Sequence, residues 1–386
     1  MFKKLILSIV IVLMIIPSIA VEAEVIPVSL GSEIIAAIHL KNPTSHERTK
    51  EVVAIDFSLL SSKIKNLKKF RVINAETGDE VVFQLEYKGM DKPQNLLVQI
   101  TLPPEGEITL HVQNSKPTAF SPKTFARYVP ERKDDFAWEN NLVAFRMYGK
   151  ALESTNENAF GIDVWSKRTD KMIINNWYKK GHYHSDHGEG LDYYSVGYTL
   201  GAGDMAPFVN DSIYYSKNYA EHTVLDNGPL RSTFRLKYNG WDVGGTTVAA
   251  TKEISLDADS QLNRIKVTYN IDNKETIPAV IGIVKRNDPG DILLLETGKI
   301  MGYWEPQYKN NGSTGIGCIL TGDLEKMQVS NKHLLSSFTV RNNEPVIYYS
   351  GAAWSKAGKL TSSERWFSYL SAFAAKLRHP VEVTVL

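Results

Sequence analysis

The sequence predicts a mainly β fold, with a large antiparallel β-sandwich preceded by a smaller β-rich region. Short stretches in which apolar and polar residues alternate recur from about residue 25 onwards, and this period of two is typical of half-buried strands. Turn signals such as Asn239-Gly240 and Asn311-Gly312 lie between them. Only one segment has a clear helical period, so strands dominate the predicted architecture.

Composition and charge narrow the class of protein. The 386 residues are 43% apolar and 23% charged, as in folded globular chains. The 44 Lys and Arg residues against 43 Asp and Glu give a formal charge of +1, without the basic excess of a nucleic-acid-binding protein. The single cysteine, Cys318, excludes a disulfide framework and a multi-thiolate zinc site.

Residues 1–23 have the pattern of a secretory signal peptide. Lys3 and Lys4 precede an apolar stretch at residues 5–16, which is too short to span a bilayer as a helix. Pro17 ends this stretch, and small residues suited to cleavage follow it. We expect a secreted or periplasmic protein with no stable membrane insertion after cleavage, and an uncleaved anchor is the alternative. One cysteine in an exported protein indicates a bacterial source.

Residues 24–118 are predicted to form an N-terminal β-rich domain. Strands at residues 70–73 and 81–85 flank a glycine-containing turn, and strands at 96–102 and 108–112 flank a second turn. The spacing of these turn signals is that of a small β-sandwich.

Residues 119–386 are predicted to form one large catalytic or carbohydrate-binding domain. Its short strands are expected at residues 142–148, 213–219, 232–238, 247–256, 263–271 and 280–284. Its one helix begins at Ser362 or Ser363 and ends before Pro380, with apolar residues recurring on one face. An extended pattern resumes at residues 381–386.

The densest polar cluster lies at residues 181–194, where three of the nine histidines and several carboxylates occur among glycines. Histidine titrates near neutral pH and is the commonest general acid or base, and a neighbouring Tyr or Glu can supply the second proton-transfer group. The candidate catalytic residues are His184, His187, Glu189, Tyr193 and Tyr194. A polar surface loop without chemistry is the alternative interpretation.

The same cluster offers ligands for a divalent cation. His182 and His184 would share one face of a strand, and His187 or Glu189 would complete a set of nitrogen and oxygen ligands. The spacing matches no zinc-protease motif, so the identity of the metal stays open. The sequence has no glycine-rich phosphate loop and no nucleotide fingerprint, and it indicates no other cofactor.

Two further segments combine basic and aromatic residues, which suits an anionic sugar. Guanidinium groups bind carboxylates in a bidentate manner, and an indole ring can stack on a pyranose. The candidate substrate-binding residues are Arg127, Arg132, Trp138, Arg146, Asp163, Trp165, Lys167 and Trp177. Because Asp163, Trp165 and Lys167 alternate, they would line one strand face as a groove wall. Solvated ion pairs and a solvated outer face are the alternatives.

Six segments of the sequence resemble the bacterial family DUF4861. They are residues 126–149 (ARYVPERKDDFAWENNLVAFRMYG), 161–170 (GIDVWSKRTD), 183–197 (YHSDHGEGLDYYSVG), 227–231 (NGPLR), 254–264 (ISLDADSQLNR) and 351–354 (GAAW). The resemblance implies an exported protein of polysaccharide-degrading bacteria, often encoded near enzymes acting on pectin-like or other uronate-containing glycans. The second part is also similar to the galactose-mutarotase-like supersandwich, a fold that hosts epimerases, hydrolase accessory domains and polysaccharide lyases.

These features together lead to one functional hypothesis and three alternatives. The hypothesis is a secreted carbohydrate-active enzyme that degrades uronate-containing poly- or oligosaccharides by β-elimination, which needs a base, an acid and a group that neutralises the carboxylate. The base would be His184 or His187, the acid Tyr193 or Tyr194, the neutralising group Arg132, Arg146 or Lys167, and the three tryptophans would line sugar subsites. A glycoside hydrolase, a mutarotase-like epimerase using Glu189 and a histidine, and a non-catalytic carbohydrate-binding protein are the alternatives.

Overall fold

The computed structural model describes residues 33–386, so the predicted signal peptide at residues 1–23 lies outside the described residues. Within this range the protein is mainly β and is built from antiparallel sheets, which confirms the predicted fold class. Strand burial alternates as the sequence pattern requires. In the first strand, for example, Ala36, Ile38 and Leu40 are buried while the residues between them are half-buried. Between residues 33 and 386, no helix is long and apolar enough to cross a membrane.

The N-terminal sandwich contains the first six strands and the last strand of the chain. These strands are β1 (Ile34–Lys41), β2 (Arg48–Asp56), β3 (Arg71–Asn74), β4 (Phe83–Glu86), β5 (Asn95–Leu102), β6 (Glu107–Gln113) and β25 (Glu382–Val385). One sheet has the order β25-β1-β6-β3 and the other has the order β2-β5-β4. Their inner faces bury Ile38, Ile55, Val98 and Val112 in one apolar core.

The larger sandwich begins with a five-stranded sheet and the short helix α1. These elements are β7 (Thr124–Val129), β8 (Asp135–Asn140), β9 (Ala144–Met147), β10 (Asp163–Lys167), α1 (Ile174–Lys180) and β11 (Gly190–Asp192). The sheet has the order β11-β10-β9-β8-β7. All neighbouring strands in this sheet pair in an antiparallel manner. Their pairing brings residues that are far apart in sequence side by side on the two faces of the sheet.

The remaining strands form a second five-stranded sheet and an eight-stranded sheet. They are β12 (Ala202–Val209), β13 (Ser212–Ile213), β14 (Glu221–Asp226), β15 (Arg231–Asp242), β16 (Thr247–Asp257), β17 (Leu262–Ile271), β18 (Thr276–Val284), β19 (Asp291–Leu295), β20 (Ile300–Trp304), β21 (Thr314–Leu320), β22 (Lys326–Val329), β23 (His333–Arg341) and β24 (Pro345–Trp354). The five-stranded sheet has the order β13-β12-β18-β23-β22, and the eight-stranded sheet has the order β14-β15-β16-β17-β24-β21-β20-β19.

Both five-stranded sheets pack on the inner face of the eight-stranded sheet. The shared core contains Trp138 and Phe145 from the first sheet, Ile281 from the second, and Phe234 and Ile254 from the eight-stranded sheet. The outer face of the first five-stranded sheet therefore points away from this core, and it is the face that carries the candidate site.

The predicted C-terminal helix is confirmed as α2 (Ser363–Arg378). The Ser362 side chain caps it by accepting a hydrogen bond from the Arg365 N–H, and the helix ends two residues before Pro380. Trp366 and Leu370 lie on its apolar face, which packs on the outer face of the eight-stranded sheet.

Candidate functional site

The outer face of the first five-stranded sheet brings four charged residues together. Asp163 lies directly opposite Arg146 on the neighbouring strand, and Asp192 lies opposite Trp165. Opposed residues point to the same side of a sheet, and residues two apart on a strand do so as well. Asp135, on β8, points to the same side, two residues before Ala137, which is opposite Arg146. We refer to Asp135, Arg146, Asp163 and Asp192 as the outer-face cluster.

Arg146 is the centre of the outer-face cluster. Its Nη2 lies 2.7 Å from Asp163 Oδ2 and 3.1 Å from Asp192 Oδ2, and its Nη1 lies 3.6 Å from Asp135 Oδ2. The Trp165 indole N–H donates to Asp163 Oδ2 at 3.2 Å. All four charged residues are at most 5% exposed, so the cluster is buried although it lies outside the main core.

The outer-face cluster holds more carboxyl groups than its arginine can neutralise. Burial raises the pKa of Asp135 to about 6, even though Arg146 and Arg132 act in the opposite direction. Burial also raises the pKa of Asp163 and of Asp192, and the proximity of Asp192 adds to the shift of Asp163. Burial alone would lower the pKa of Arg146, but the surrounding carboxylates hold it well above its ordinary value. The carboxyls can therefore exchange protons near neutral pH.

Several buried polar atoms of the cluster have no hydrogen-bond partner within residues 33–386. They include Asp135 Oδ1, Asp163 Oδ1, Arg146 Nε and the neighbouring Arg132 Nη1. Buried polar groups in folded proteins are nearly always paired, because an unpaired one costs about 1–3 kcal/mol. With Arg146 Nη1 included, two acceptors and three donors, all buried, have no hydrogen-bond partner among the described residues.

A second charged pair on the same face, Lys167 and Glu139, differs from the outer-face cluster because its hydrogen-bonding groups are fully paired. Lys167 Nζ donates to Glu139 Oε2 at 2.9 Å, to the Asn140 carbonyl oxygen at 2.8 Å and to the Lys171 carbonyl oxygen at 2.6 Å. Glu139 in turn accepts from two backbone N–H groups at the start of α1, each at 2.8 Å. All three protons of the ammonium group are used, so the predicted substrate-binding residue Lys167 has no donor left for a ligand.

Three residues form the mouth of the outer-face cluster: Arg132, Tyr183 and His184. His184 Nδ1 lies 3.0 Å from the Asp192 carbonyl oxygen and 3.6 Å from Asp192 Oδ2, while the side chain is 64% exposed. The rings of Tyr183 and His184 are 4.6 Å apart, and Tyr183 also stacks on Trp165 at 4.8 Å. Arg132 Nε donates to the Tyr183 hydroxyl at 3.3 Å, and Arg132 Nη2 pairs with the exposed Glu157 at 2.8 Å; the Tyr183 side chain itself is 8% exposed. The mouth thus combines an oriented histidine, a tyrosine hydroxyl and a guanidinium group.

Four other predicted site residues lie away from the mouth or have no free ring face. Trp138 is fully buried in the main core and donates to Asn263 Oδ1, and Trp177 is buried against Trp165. Glu189 pairs with Lys171 at 3.4 Å, and Arg127 pairs with Glu131 at 2.5 Å.

The exposed loop between α1 and β11 carries His182 and His187. His187 makes no hydrogen bond to any residue that the structure describes. Among residues 33–386, no group of three or more His, Cys, Asp or Glu side chains is arranged to hold a metal ion, so the ligand set suggested for a divalent cation is not assembled there.

Tyr193 and Tyr194 belong to a second polar group beside the outer-face cluster. The Tyr193 hydroxyl is 2.7 Å from Thr314 Oγ1, and the buried Tyr194 hydroxyl has no partner within the described residues. Arg286 lies 4.6 Å from the centre of the Tyr194 ring and donates from Nε to Glu305 Oε1 at 2.6 Å. Burial raises the pKa of Glu305 to about 7.

Sequence reasoning missed Asp135, Tyr183, Asp192, Arg286 and Glu305. Asp192 and Tyr183 lie inside the polar segment at residues 181–194, but the spacing does not reveal that Asp192 faces the outer side of the sheet while Tyr194, beyond the end of β11, is buried in the main core. Glu305 follows β20, more than a hundred residues later, and no local pattern connects it to the site.

The fold and the site together define a β-sandwich protein with a buried, incompletely paired carboxylate–arginine cluster next to Arg132, Tyr183 and His184. Comparison with family models gives the family: the model described as "Domain of unknown function (DUF4861)" matches residues 40–383, and the chain belongs to this family. The resemblance seen in the sequence is thereby confirmed.

Comparisons with individual proteins are consistent with this family and with the β-sandwich fold. "Uncharacterized protein P7" of Formosa agariphila is 31% identical over 351 residues, which are 86% of this chain and 85% of that protein. An alpha-mannosidase from Enterococcus faecalis V583 matches 91% of this chain at 11% identity with a TM-score of 0.50. A Glycosyl Hydrolase Family 38 protein from Enterococcus faecalis matches 91% at 11% identity with a TM-score of 0.52. The chain spans 46% and 47% of these two structures, and the likeness concerns the fold alone.

Proposed function

We propose that this protein is an exported carbohydrate-active enzyme whose reaction takes place at the mouth formed by Arg132, Tyr183 and His184. The observation that carries the proposal is the contact of an oriented histidine with a tyrosine–arginine pair above the incompletely paired outer-face cluster. The sandwich fold shared with the two mannosidase-like structures is consistent with a saccharide substrate.

A saccharide suits the chemistry of the mouth and the cluster. The half-buried Arg132 guanidinium is a donor for a sugar oxygen or a carboxylate, and the exposed His184 ring can pair with a sugar hydroxyl group, while the unpaired oxygens of Asp135 and Asp163 are buried behind them. Tyr183, held against Trp165, provides an aromatic edge on which a sugar ring can pack.

The proposed reaction is β-elimination from a uronate-containing poly- or oligosaccharide. His184 removes the proton at C5, the bond between C4 and the leaving oxygen breaks, and a double bond forms between C4 and C5. Tyr183 donates its hydroxyl proton to the leaving oxygen, and Arg132 binds the substrate carboxylate, which stabilises the negative charge that develops on it.

Asp192 supports His184 as a positioning residue. With the proton on Nδ1, His184 donates to the Asp192 carbonyl oxygen at 3.0 Å and keeps Nε2 unprotonated as the base. The Asp192 carboxylate, 3.6 Å from Nδ1, stabilises the imidazolium ion formed when the proton is taken up. From the sets predicted from sequence, these roles select His184 as the base and Arg132 as the neutralising residue, and they replace Tyr193 or Tyr194 with Tyr183 as the acid.

Glycoside hydrolysis is a second candidate reaction, and the raised carboxyl pKa values favour it. An acid that protonates a leaving sugar oxygen at neutral pH needs a pKa near 6 or 7. The pKa of Asp135 is raised to about 6 and that of Glu305 to about 7, both chiefly by burial.

Product analysis separates the two reactions. The purified protein is incubated with oligogalacturonates and other uronate-containing oligosaccharides, and both unsaturated-uronate absorbance and reducing ends are measured. Elimination raises both signals together, whereas hydrolysis raises reducing ends alone. The Tyr183→Phe variant should lose elimination, while Tyr193→Phe, whose hydroxyl contacts Thr314, serves as the matched control. No absorbance with any uronate-containing substrate would rule out the elimination.

A further inference from the structure

A groove lies on the far side of the large sandwich from the mouth. Its floor is the outer face of β15, β16, β17 and β24, and its walls are α2 and the N-terminal strand β2. Two adjoining cavities of about 390 and 530 Å³ share Arg231, Arg264 and Tyr349 among their lining residues. These volumes are typical of sites for small molecules or short oligomers. We refer to this feature as the interdomain groove.

The carboxylates that line the interdomain groove all have cationic partners. The pairs are Glu51 with Arg48 at 2.6 Å, Glu86 with Arg231 at 3.1 Å, Asp257 with Arg231 at 2.5 Å, Asp259 with Lys123 at 3.3 Å and Glu253 with Arg235 at 2.9 Å. Their negative charge is therefore already compensated.

Three cations that line the interdomain groove have no carboxylate partner among the described residues. Arg264, Lys266 and Lys376 line it, and none lies within 4 Å of a carboxylate of residues 33–386. Arg264 and Lys266 are two apart on β17, so they point to the same side, and Lys376 faces them from α2. All three are half-buried, and burial lowers the pKa of Lys376.

Aromatic side chains accompany these cations. Tyr349 lies directly opposite Arg264 on the neighbouring strand, and Phe373 of α2 packs edge-on against Tyr349 with ring centroids 5.3 Å apart. An aromatic surface beside unpaired cations suits a ligand with apolar ring faces and negative substituents.

We propose that the interdomain groove is a second saccharide-binding site, separate from the mouth, that takes an anionic oligosaccharide. Arg264, Lys266 and Lys376 bind its carboxylate or sulfate groups, and Tyr349 and Phe373 pack on its sugar rings. Two segments that carry the family resemblance, residues 227–231 and 254–264, supply Arg231 and Arg264 of the floor. The site would hold a long substrate on the face opposite the reaction.

Titration calorimetry in the His184→Gln variant, which prevents turnover, tests this site. The probes are tetragalacturonate, a sulfated carrageenan tetrasaccharide and neutral maltotetraose. Adding Arg264→Gln and Lys376→Gln should remove one binding site for an anionic probe or weaken it about tenfold or more. The matched control adds Lys274→Gln and Arg341→Gln, which remove the same charge from exposed positions away from the groove.

Each outcome has a defined meaning. The proposal is supported if the substitutions remove a binding site for tetragalacturonate alone, for the sulfated probe alone or for both. Which probe loses its site identifies the anionic group that the groove binds. Unchanged binding of both, equal loss in the control, or equally tight binding of maltotetraose overturns it. Because the two cations lack carboxylate partners, their removal leaves no orphaned charge, and thermal unfolding verifies that the variants fold. Adding Arg132→Gln to the His184→Gln variant instead tests binding of the probes at the mouth. The two sets of variants therefore distinguish a wrong assignment of the reaction from a wrong assignment of the groove.

Discussion

Replacing Arg146 by Met should destabilise the protein strongly at neutral pH and less at acidic pH. Arg146 is 5% exposed and is the shared partner of Asp135, Asp163 and Asp192. Removing one partner of a buried ion pair costs about 3–5 kcal/mol, because it leaves charge buried without compensation. We expect a loss of that size in the free energy of unfolding at about pH 7.5.

The pH dependence follows from the raised pKa values of the three carboxyls. Their unfolded pKa is about 3.9, so between about pH 4 and the folded pKa the native state binds more protons than the unfolded state. The free energy of unfolding therefore falls as pH rises through this window. Without Arg146 the folded pKa values rise further, and the variant retains about one extra proton. The wild-type carboxyls ionise above about pH 6, so one extra proton adds about 1.4 kcal/mol of penalty per pH unit above that point, or about 2 kcal/mol by about pH 7.5.

Urea unfolding of the Arg146→Met variant and the wild type at about pH 5 and about pH 7.5 measures this difference. The control is Arg341→Met, at an exposed arginine whose nearest carboxylate lies 4.0 Å away, and it should change stability by less than about 0.5 kcal/mol. A penalty that is equal at both pH values, or below about 1 kcal/mol at the higher one, would refute the electrostatic reasoning.

Three further substitutions test other parts of the structure. Lys167→Met leaves the Glu139 carboxylate buried without its cation and should lower the free energy of unfolding, measured in urea, by about 3–5 kcal/mol. An unchanged free energy of unfolding would contradict the structural role of the Lys167–Glu139 pair. Gly190→Ala should cost about 3 kcal/mol or more, because φ is +126° and the added Cβ would lie 2.0 Å from the Ser166 carbonyl oxygen. An unchanged melting temperature would contradict this close contact between the backbones of β10 and β11. Ser362→Ala removes the cap of α2 and should cost about 1 kcal/mol, and Ser362→Asp, measured in parallel, should restore stability.

The sequence predicted the parts of the fold that depend on local periodicity. The two-residue alternation of Asp163, Trp165 and Lys167 correctly placed them on one strand face, and the helical period together with Ser362 located α2. The predicted strand at residues 213–219 is shorter in the structure, because only Ser212–Ile213 forms strand there. The aromatic residues that produced its pattern serve packing instead, as Tyr215 does against Phe160.

The chemistry of the site depends on contacts that the sequence does not show. The local pattern of Lys167 is the same whether it faces substrate or Glu139, and only strand register reveals that all its donors are used. Likewise, Arg146 meets Asp192 only because β9, β10 and β11 are neighbours in the sheet. The return of β25 to pair with β1 joins Ile38 to Val385, a contact between the two ends of the described chain that no local pattern specifies.

The turnover of His184→Gln against that of His187→Gln tests the central claim most directly. Both histidines are exposed and lie three residues apart, but only His184 is oriented by Asp192 beside Tyr183. On a uronate-containing oligosaccharide that the wild type cleaves, we expect kcat/KM to fall about 10²–10⁴-fold for His184→Gln and to stay within about twofold for His187→Gln. Equal losses in both variants, or a larger loss for His187→Gln, would contradict the placement of the reaction at this mouth.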